Sequence, residues 1–195
     1  MTCDDWHKSD IADGWDGSLI SSTVFRRDLA DLITKVKADC DKYSGTNVTS
    51  ANMQNMIDSF FTLWYATWAC AIGGVSGNLI PPYVEILVTH GRLSIYSAVI
   101  NHPTAPVEVK HFFRAAGLSS ALNVMRAAVQ GEGRLKSMPN NTVIMISYSA
   151  MISFRLSTTD TNTTSNLAPS VRRLIDETAE VLIRIGRTPT HRKGQ

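Results

Sequence analysis

A mainly α-helical fold with a small β element is predicted by three features of the sequence. Apolar residues recur at helical spacing over four stretches, within residues 25–36, 53–64, 109–129 and 171–185. Between Gly73 and Pro106 that spacing gives way to paired prolines and two short β-leaning runs, 84–88 and 93–96, separated by His90 and Gly91. Across residues 144–156 apolar side chains alternate with Ser147, Ser149, Ser153 and Arg155, a period of two that favours a strand.

The first helix rests on Phe25, Leu29, Leu32, Ile33 and Val36, with Ser22 and Thr23 as candidate N-caps and an end near Cys40. A polar loop, 42–49, leads to Ser50 and a second stripe of Met53, Met56, Ile57, Phe60 and Trp64. The short connection predicts antiparallel packing of the two. Pro106 can open a third helix, with Val109, Phe112, Phe113 and Ala116 before Gly117 and Leu118, Leu122, Met125 and Val129 after it. That pattern reads as one broken helix or two short ones. Residues 157–165 are mostly Thr, Ser, Asn and Asp, too polar to pack, and predict an exposed loop. The clearest helix follows: Val171, Leu174, Ile175, Thr178, Leu182 and Ile185 share one face, with Pro169 in the first turn and Gly186 just past the end.

The chain of 195 residues is long enough for one compact domain, with residues 1–22 as an N-terminal arm and 186–195 as a loose basic tail. Hydrophobic residues at 44% and charged ones at 18% predict a folded chain rather than a disordered one. Nineteen Lys plus Arg against 17 Asp plus Glu leave a net charge of only +2, so any nucleic-acid site must be local. Cys3, Cys40 and Cys70 form neither an even disulfide set nor a spaced metal pattern. With a polar, acidic N-terminus unlike a targeting peptide, they read as reduced thiols in cytoplasm. The uncharged stretch 59–84 is crowded by Gly73, Gly74, Gly77, Pro81 and Pro82 in its second half, and fits a buried helix followed by a loop better than a membrane span.

Motifs for catalysis are missing: no Gly-rich phosphate loop follows a strand, and neither His-Glu-x-x-His nor Gly-x-Ser-x-Gly occurs. His90, His102 and His111 fall close in sequence, but without metal-ligand spacing; with Glu108 they form the one candidate enzymatic cluster, and turn or surface histidines are the simpler reading. Cys70 in its apolar run suggests packing. Trp64, Tyr65 and Trp68 could stack on bases, yet their helical spacing points to the core or a subunit contact. Arg172 and Arg173 beside a helix N-terminus suit a phosphate, and suit a solvated face equally well. The expectation is therefore no catalytic function, no cofactor and no metal.

Taken together, Phe60-Phe-Thr-Leu-Trp64, Tyr96-Ser-Ala-Val-Ile-Asn-His-Pro103 and Ser170-Val-Arg-Arg-Leu-Ile-Asp-Glu-Thr-Ala-Glu-Val-Leu-Ile-Arg184 resemble, in order and spacing, the coat proteins of rod-shaped plant RNA viruses of the tobamovirus type. The resemblance implies an antiparallel four-helix bundle lying radially in a helical rod, many copies of the chain around single-stranded RNA, and location in the virion and in host cytoplasm during assembly. It implies RNA contacts at Arg114, Asn166, Ser170 and Arg173, and an internal ion pair at Arg172, itself a candidate RNA contact. It also implies a subunit contact within 63–82 that includes Trp64, Tyr65 and Trp68.

The sequence departs from that pattern in several places. Met53 stands where the type has a phosphate-binding arginine, Thr62 and Asn101 replace carboxylates, and residues 144–156 have no counterpart. A distant relative is the expectation. Two other classes stay open: a nucleocapsid or flexuous-filament coat protein of different helical fold, and a small membrane-associated protein anchored by residues 60–80.

Overall fold

A computed structural model of the chain describes residues 3–12, 14–42, 50–72, 80–136, 140–158 and 167–187. A short 3-10 helix, Cys3–Lys8, precedes α1 (Gly14–Lys42), α2 (Ser50–Trp68), α3 (Pro82–Ile100), α4 (Val107–Gln130), the single turn α5 (Glu132–Leu135), α6 (Asn140–Thr158) and α7 (Pro169–Gly186). Among the described residues there is no strand.

The long helices run alternately up and down. Phe25 of α1 meets Gly91 of α3, and Thr104 just beyond α3 bonds to Asp41 near the end of α1, so these two are parallel. The Asp58–Arg92 and Gln54–Tyr96 contacts show that α2 opposes α3. Gly117 of α4 touches Tyr96 and Ile100 late in α3, while Gly131 touches Pro82, so α3 and α4 are antiparallel. Tyr148 against His90 and Leu156 against Gly117 set α6 parallel to α3. Arg184 reaches Glu132 just past the end of α4, which makes α7 parallel to α4. Three antiparallel pairs result: α1/α2 and α6/α7 flank a central α3/α4 pair. The connections at one end follow α1, α3 and α6; this is called the Pro106 end below.

This is a mainly α protein, with six long helices among the described residues where four were expected. The runs 84–88 and 93–96, expected as a small β element, lie inside α3. Val84, Ile86, Leu87, Val88, Gly91, Leu93, Ile95, Tyr96 and Val99 are all buried, on every side of the helix. With Glu85 as its one exposed residue, such a helix has almost no face toward water, so little period survives in the sequence. The β-branched penalty amounts to only tenths of a kcal/mol per residue, far below what burial of these side chains contributes.

The expected strand 144–156 is likewise helical, within α6. Its buried positions, Thr142, Met145, Ile146, Ser149, Ile152, Ser153 and Leu156, follow a helical stripe in which three members carry hydroxyls. Ser149 donates to the Met145 carbonyl and Ser153 to the Ala150 carbonyl, both at 2.8 Å, so neither hydroxyl is buried without a partner. The third helix is unbroken: Gly117 sits within it, pressed against Leu156, Ile100 and Tyr96. Helix α1 begins at Gly14, so part of the expected N-terminal arm belongs to it. The polar loop 159–165 and the tail beyond Arg187 lie outside the described residues.

The main apolar core reaches all three layers, and a second cluster, Leu93, Ala121, Ile152 and Leu156, lies between α3, α4 and α6. Phe25 is fully buried among Phe60, Phe61 and Trp64 at ring separations of 5.1–6.0 Å, and Tyr96 stacks on Phe113 at 5.3 Å. Between α2 and α3, Arg92 pairs with Asp58 and lies 4.2 Å over the Phe61 ring.

Candidate nucleic-acid interface

The parallel course of α4 and α7 decides where the candidate RNA residues fall. Counting back from the Arg184–Glu132 contact at 1.5 Å per residue, Arg172 lies roughly 18 Å along α7 and Arg114 roughly 27 Å along α4. The two therefore stand within about 10 Å of each other along the bundle axis, toward the Pro106 end. Helical side chains lean toward their own N-terminus, so Arg114, Arg172 and Arg173 all lean that way.

Arg114 is half-buried, and its Nη2 donates to the Leu156 carbonyl at 3.3 Å, one of the last-turn acceptors of α6. Ser170, Arg172 and Arg173 are exposed in the first turns of α7. Pro169 occupies the first turn, and Ala168 offers no side-chain cap to the amides there. Arg173 lies 3.4 Å from Glu177, an exposed pair that leaves the guanidinium accessible. Arg172 forms no ion pair with the described residues, so the implied internal pairing is not found among them. Asn166 lies outside the described residues.

Sequence reading missed Arg155. Assigned to a strand, it had no reason to join this site; as the last-turn cation of α6 it is exposed at the same end, its Nη2 donating to Asn101 Oδ1 at 3.1 Å. The local signal was its place just before a polar run, where a helix closes with a cation. Met53, at the position of an expected arginine, is buried in the core and offers no contact to a ligand.

The aromatic cluster of α2 serves the chain itself. Trp64 is buried against Phe25 and donates its Nε1 hydrogen to the Ser21 carbonyl at 3.3 Å; Trp68 is buried with its ring 4.8 Å from His7. Only Tyr65 of the three is part-exposed; Trp64 and Trp68 lie in the core, one of the two places their helical spacing pointed to. Burial raises the Tyr65 phenol above its ordinary range. Leu63 beside them is exposed.

The histidines do not converge. His90 packs edge-on to Tyr148 inside the bundle, and burial first, then the charge of Arg26, hold its pKa down to about 4. His102 lies at the α3–α4 turn, where Thr104 Oγ1 is 3.1 Å from its Nδ1 and donates to Asp41 Oδ1 at 3.0 Å. His111 is exposed on α4. No group of three His, Cys, Asp or Glu side chains among the described residues could hold a metal ion. Cys40 is buried with its thiol pKa raised, by burial and then by Asp41 and Asp39, while Cys70 is exposed. No described helix is long and apolar enough to cross a membrane, and α2 ends at Trp68, partway through the stretch considered as an anchor.

Fold and site together define a three-layered, mainly helical bundle with arginines from α4, α6 and α7 at one end. No protein-family model matches the chain, and no curated protein or solved structure does.

Proposed function

We propose that the chain is a structural coat protein that assembles with many copies of itself around single-stranded RNA. The observation that carries this reading is the gathering of Arg114, Arg155, Arg172 and Arg173, with Ser170, at one end of the bundle from three helices distant in sequence. Guanidinium groups beside uncapped helix amides suit phosphate oxygens without reading base sequence, which is what a coat requires. With a net charge of +2, a single copy holds RNA weakly, and affinity comes from repetition along the strand. Location in the virion, and in host cytoplasm during assembly, belongs to the same reading.

A second reading is favoured by one observation. The six long helices among the described residues, in three layers, exceed the four-helix bundle that the sequence resemblance implies, which suits a nucleocapsid or flexuous-filament coat of different helical fold. Electron microscopy of the purified protein with RNA, with the 260/280 nm absorbance ratio of the same sample, separates the two: rigid rods support the first and flexible filaments the second. A protein that stays monomeric and free of nucleic acid at all salt and pH values tested excludes both.

Arg172→Ala with Arg173→Ala tests the site. Both side chains are exposed, so thermal unfolding should be unchanged. If each meets one phosphate, the slope of log affinity against log salt should fall by about 1.4 for single-stranded RNA. An unchanged slope and unchanged RNA content remove these residues from the interface.

A further inference from the structure

Helices α2 and α6 belong to the two outer layers, on opposite sides of the α3/α4 pair. The exposed residues of α6 are Asn140, Ile144, Ser147, Met151 and Phe154, spaced four, three, four and three residues apart, with Arg155 beside them at the Pro106 end. That is the seam spacing with which one helix packs along another, and along it the stripe from Asn140 to Phe154 carries no charge, Arg155 standing at its edge in the last turn. Ile144, Met151 and Phe154 are 65%, 55% and 54% exposed, values at odds with a helix side meant for water. The outward face of α2 is Ala51, Asn52, Asn55, Ser59, Thr62, Leu63 and Ala66, again without a charge. The one charged residue of α2, Asp58, is turned to Arg92 of α3.

The exposed sides of α1 and α7 differ. Arg26, Arg27, Asp31, Lys35 and Lys37 line α1, and Arg172, Arg173, Asp176, Glu177 and Glu180 line α7. The two neutral faces match in size as well as charge: bulky Ile144, Met151 and Phe154 on one side, mostly small residues on the other.

Resting on the coat-protein reading, we infer that the α6 face of one copy docks on the α2 face of the next, joining copies head to tail. A contact between two different faces on opposite sides of a molecule does not close on itself in a pair and so propagates. Within the chain α2 and α6 run in opposite directions, so stacking copies by near-translation packs them antiparallel and continues the alternation of the layers. The levels correspond: Tyr148 is beside His90 and Asp58 beside Arg92, which sets Met151 near the height of Asn55 and Ser59. Every copy then presents its Pro106 end on the same side, and the arginine clusters form a row that one strand can follow.

The area limits the strength of one contact. A helix of 19 residues is about 28 Å long and covers on the order of 300 Å², well below the ~800 Å² per partner of a stable dimer. Assembly without RNA should therefore be reversible and concentration-dependent.

The test uses the full chain in RNA-free buffer with two variants, Met151→Lys and Ser59→Lys, both at exposed positions, with circular dichroism and thermal midpoint to establish folding. In sedimentation velocity the wild type should form a concentration-dependent ladder of oligomers. Each variant alone should stay monomeric, its self-association weakened at least tenfold. Mixed one to one, they should stop at a dimer, because each supplies the one face that the other lacks. A ladder formed by either folded variant alone overturns the inference, as does a wild type monomeric at every concentration. RNA uptake is scored separately. A wild type that stacks but takes up no RNA upholds the contact and removes the coat reading, whereas Met151→Lys filling with RNA in wild-type particles removes the contact and leaves that reading.

Discussion

At the scale of single residues, Gly91 and His90 show how tightly α3 is enclosed. A Cβ at Gly91 would stand 2.6 Å from Phe25 Cζ, and that ring is itself wedged among Phe60, Phe61 and Trp64. Gly91→Ala should therefore destabilise the fold by about 1–3 kcal/mol, the cost of overpacking, although alanine is the better helix former. A urea midpoint at or above that of the wild type would contradict this packing. His90 is held neutral by burial, with a folded pKa of about 4 against an ordinary 6.5. Between those values the unfolded chain binds the extra proton, so stability falls as pH drops from about 6.5 to about 4. His90→Gln should flatten the dependence of unfolding free energy on pH in that window while leaving the rest of the curve in place. Asp58 acts at lower pH: burial alone would raise its pKa, but bonds from Arg92 and Gln54 lower it, so its contribution is lost as pH falls through the carboxylate range.

At the scale of elements, α6 separates what local sequence prefers from what packing selects. Its stripe reads helical only when Thr142, Ser149 and Ser153 are counted as buried, and nothing in the sequence marks a serine as inward-facing. The helix exists because Leu93, Ala121, Ile152 and Leu156 form an apolar cluster between α3, α4 and α6, and because backbone carbonyls accept the serine hydroxyls. An isolated peptide of residues 140–158, at 19 residues and rich in Ser, Thr and Ile, should thus lack stable helix in water and give a coil or β-type circular dichroism spectrum. Substantial helicity in the isolated peptide would mean that local propensity, not burial, specifies α6. By contrast, α7 was legible to within a residue, since Val171, Thr178, Val181 and Ile185 lie buried on one face of an otherwise charged helix.

At the scale of the whole molecule, the up-and-down order places ends together that the sequence holds far apart. A bidentate contact between Arg184 and Glu132 of α5, with Nε–Oε1 at 2.8 Å and Nη2–Oε2 at 2.9 Å, ties the end of α7 to the end of α4. That contact lowers the Glu132 pKa and raises that of Arg184, in each case chiefly through the hydrogen bonds between them. Arg184→Ala should loosen α7 and, with it, the position of Arg172 and Arg173. The expected signature is faster amide exchange in the C-terminal turns of α7, with α3 exchange unchanged; equal protection in variant and wild type would mean that apolar packing alone sets the register.

By itself the sequence determined the amphipathic elements, namely α1 from Phe25 on, α2, much of α4 and α7, together with Arg172 and Arg173 beside a helix start. Each has one face toward water, and that asymmetry writes a period into the chain. Tertiary structure alone decided α3, α6 and the company that Arg114 and Arg155 keep. A helix enclosed on all sides has no polar face to report its period, a buried serine looks like an exposed one until its carbonyl partner is in place, and proximity between α4, α6 and α7 is a property of register. Such register is set by side chains meeting across 40 or more positions, which no local pattern encodes.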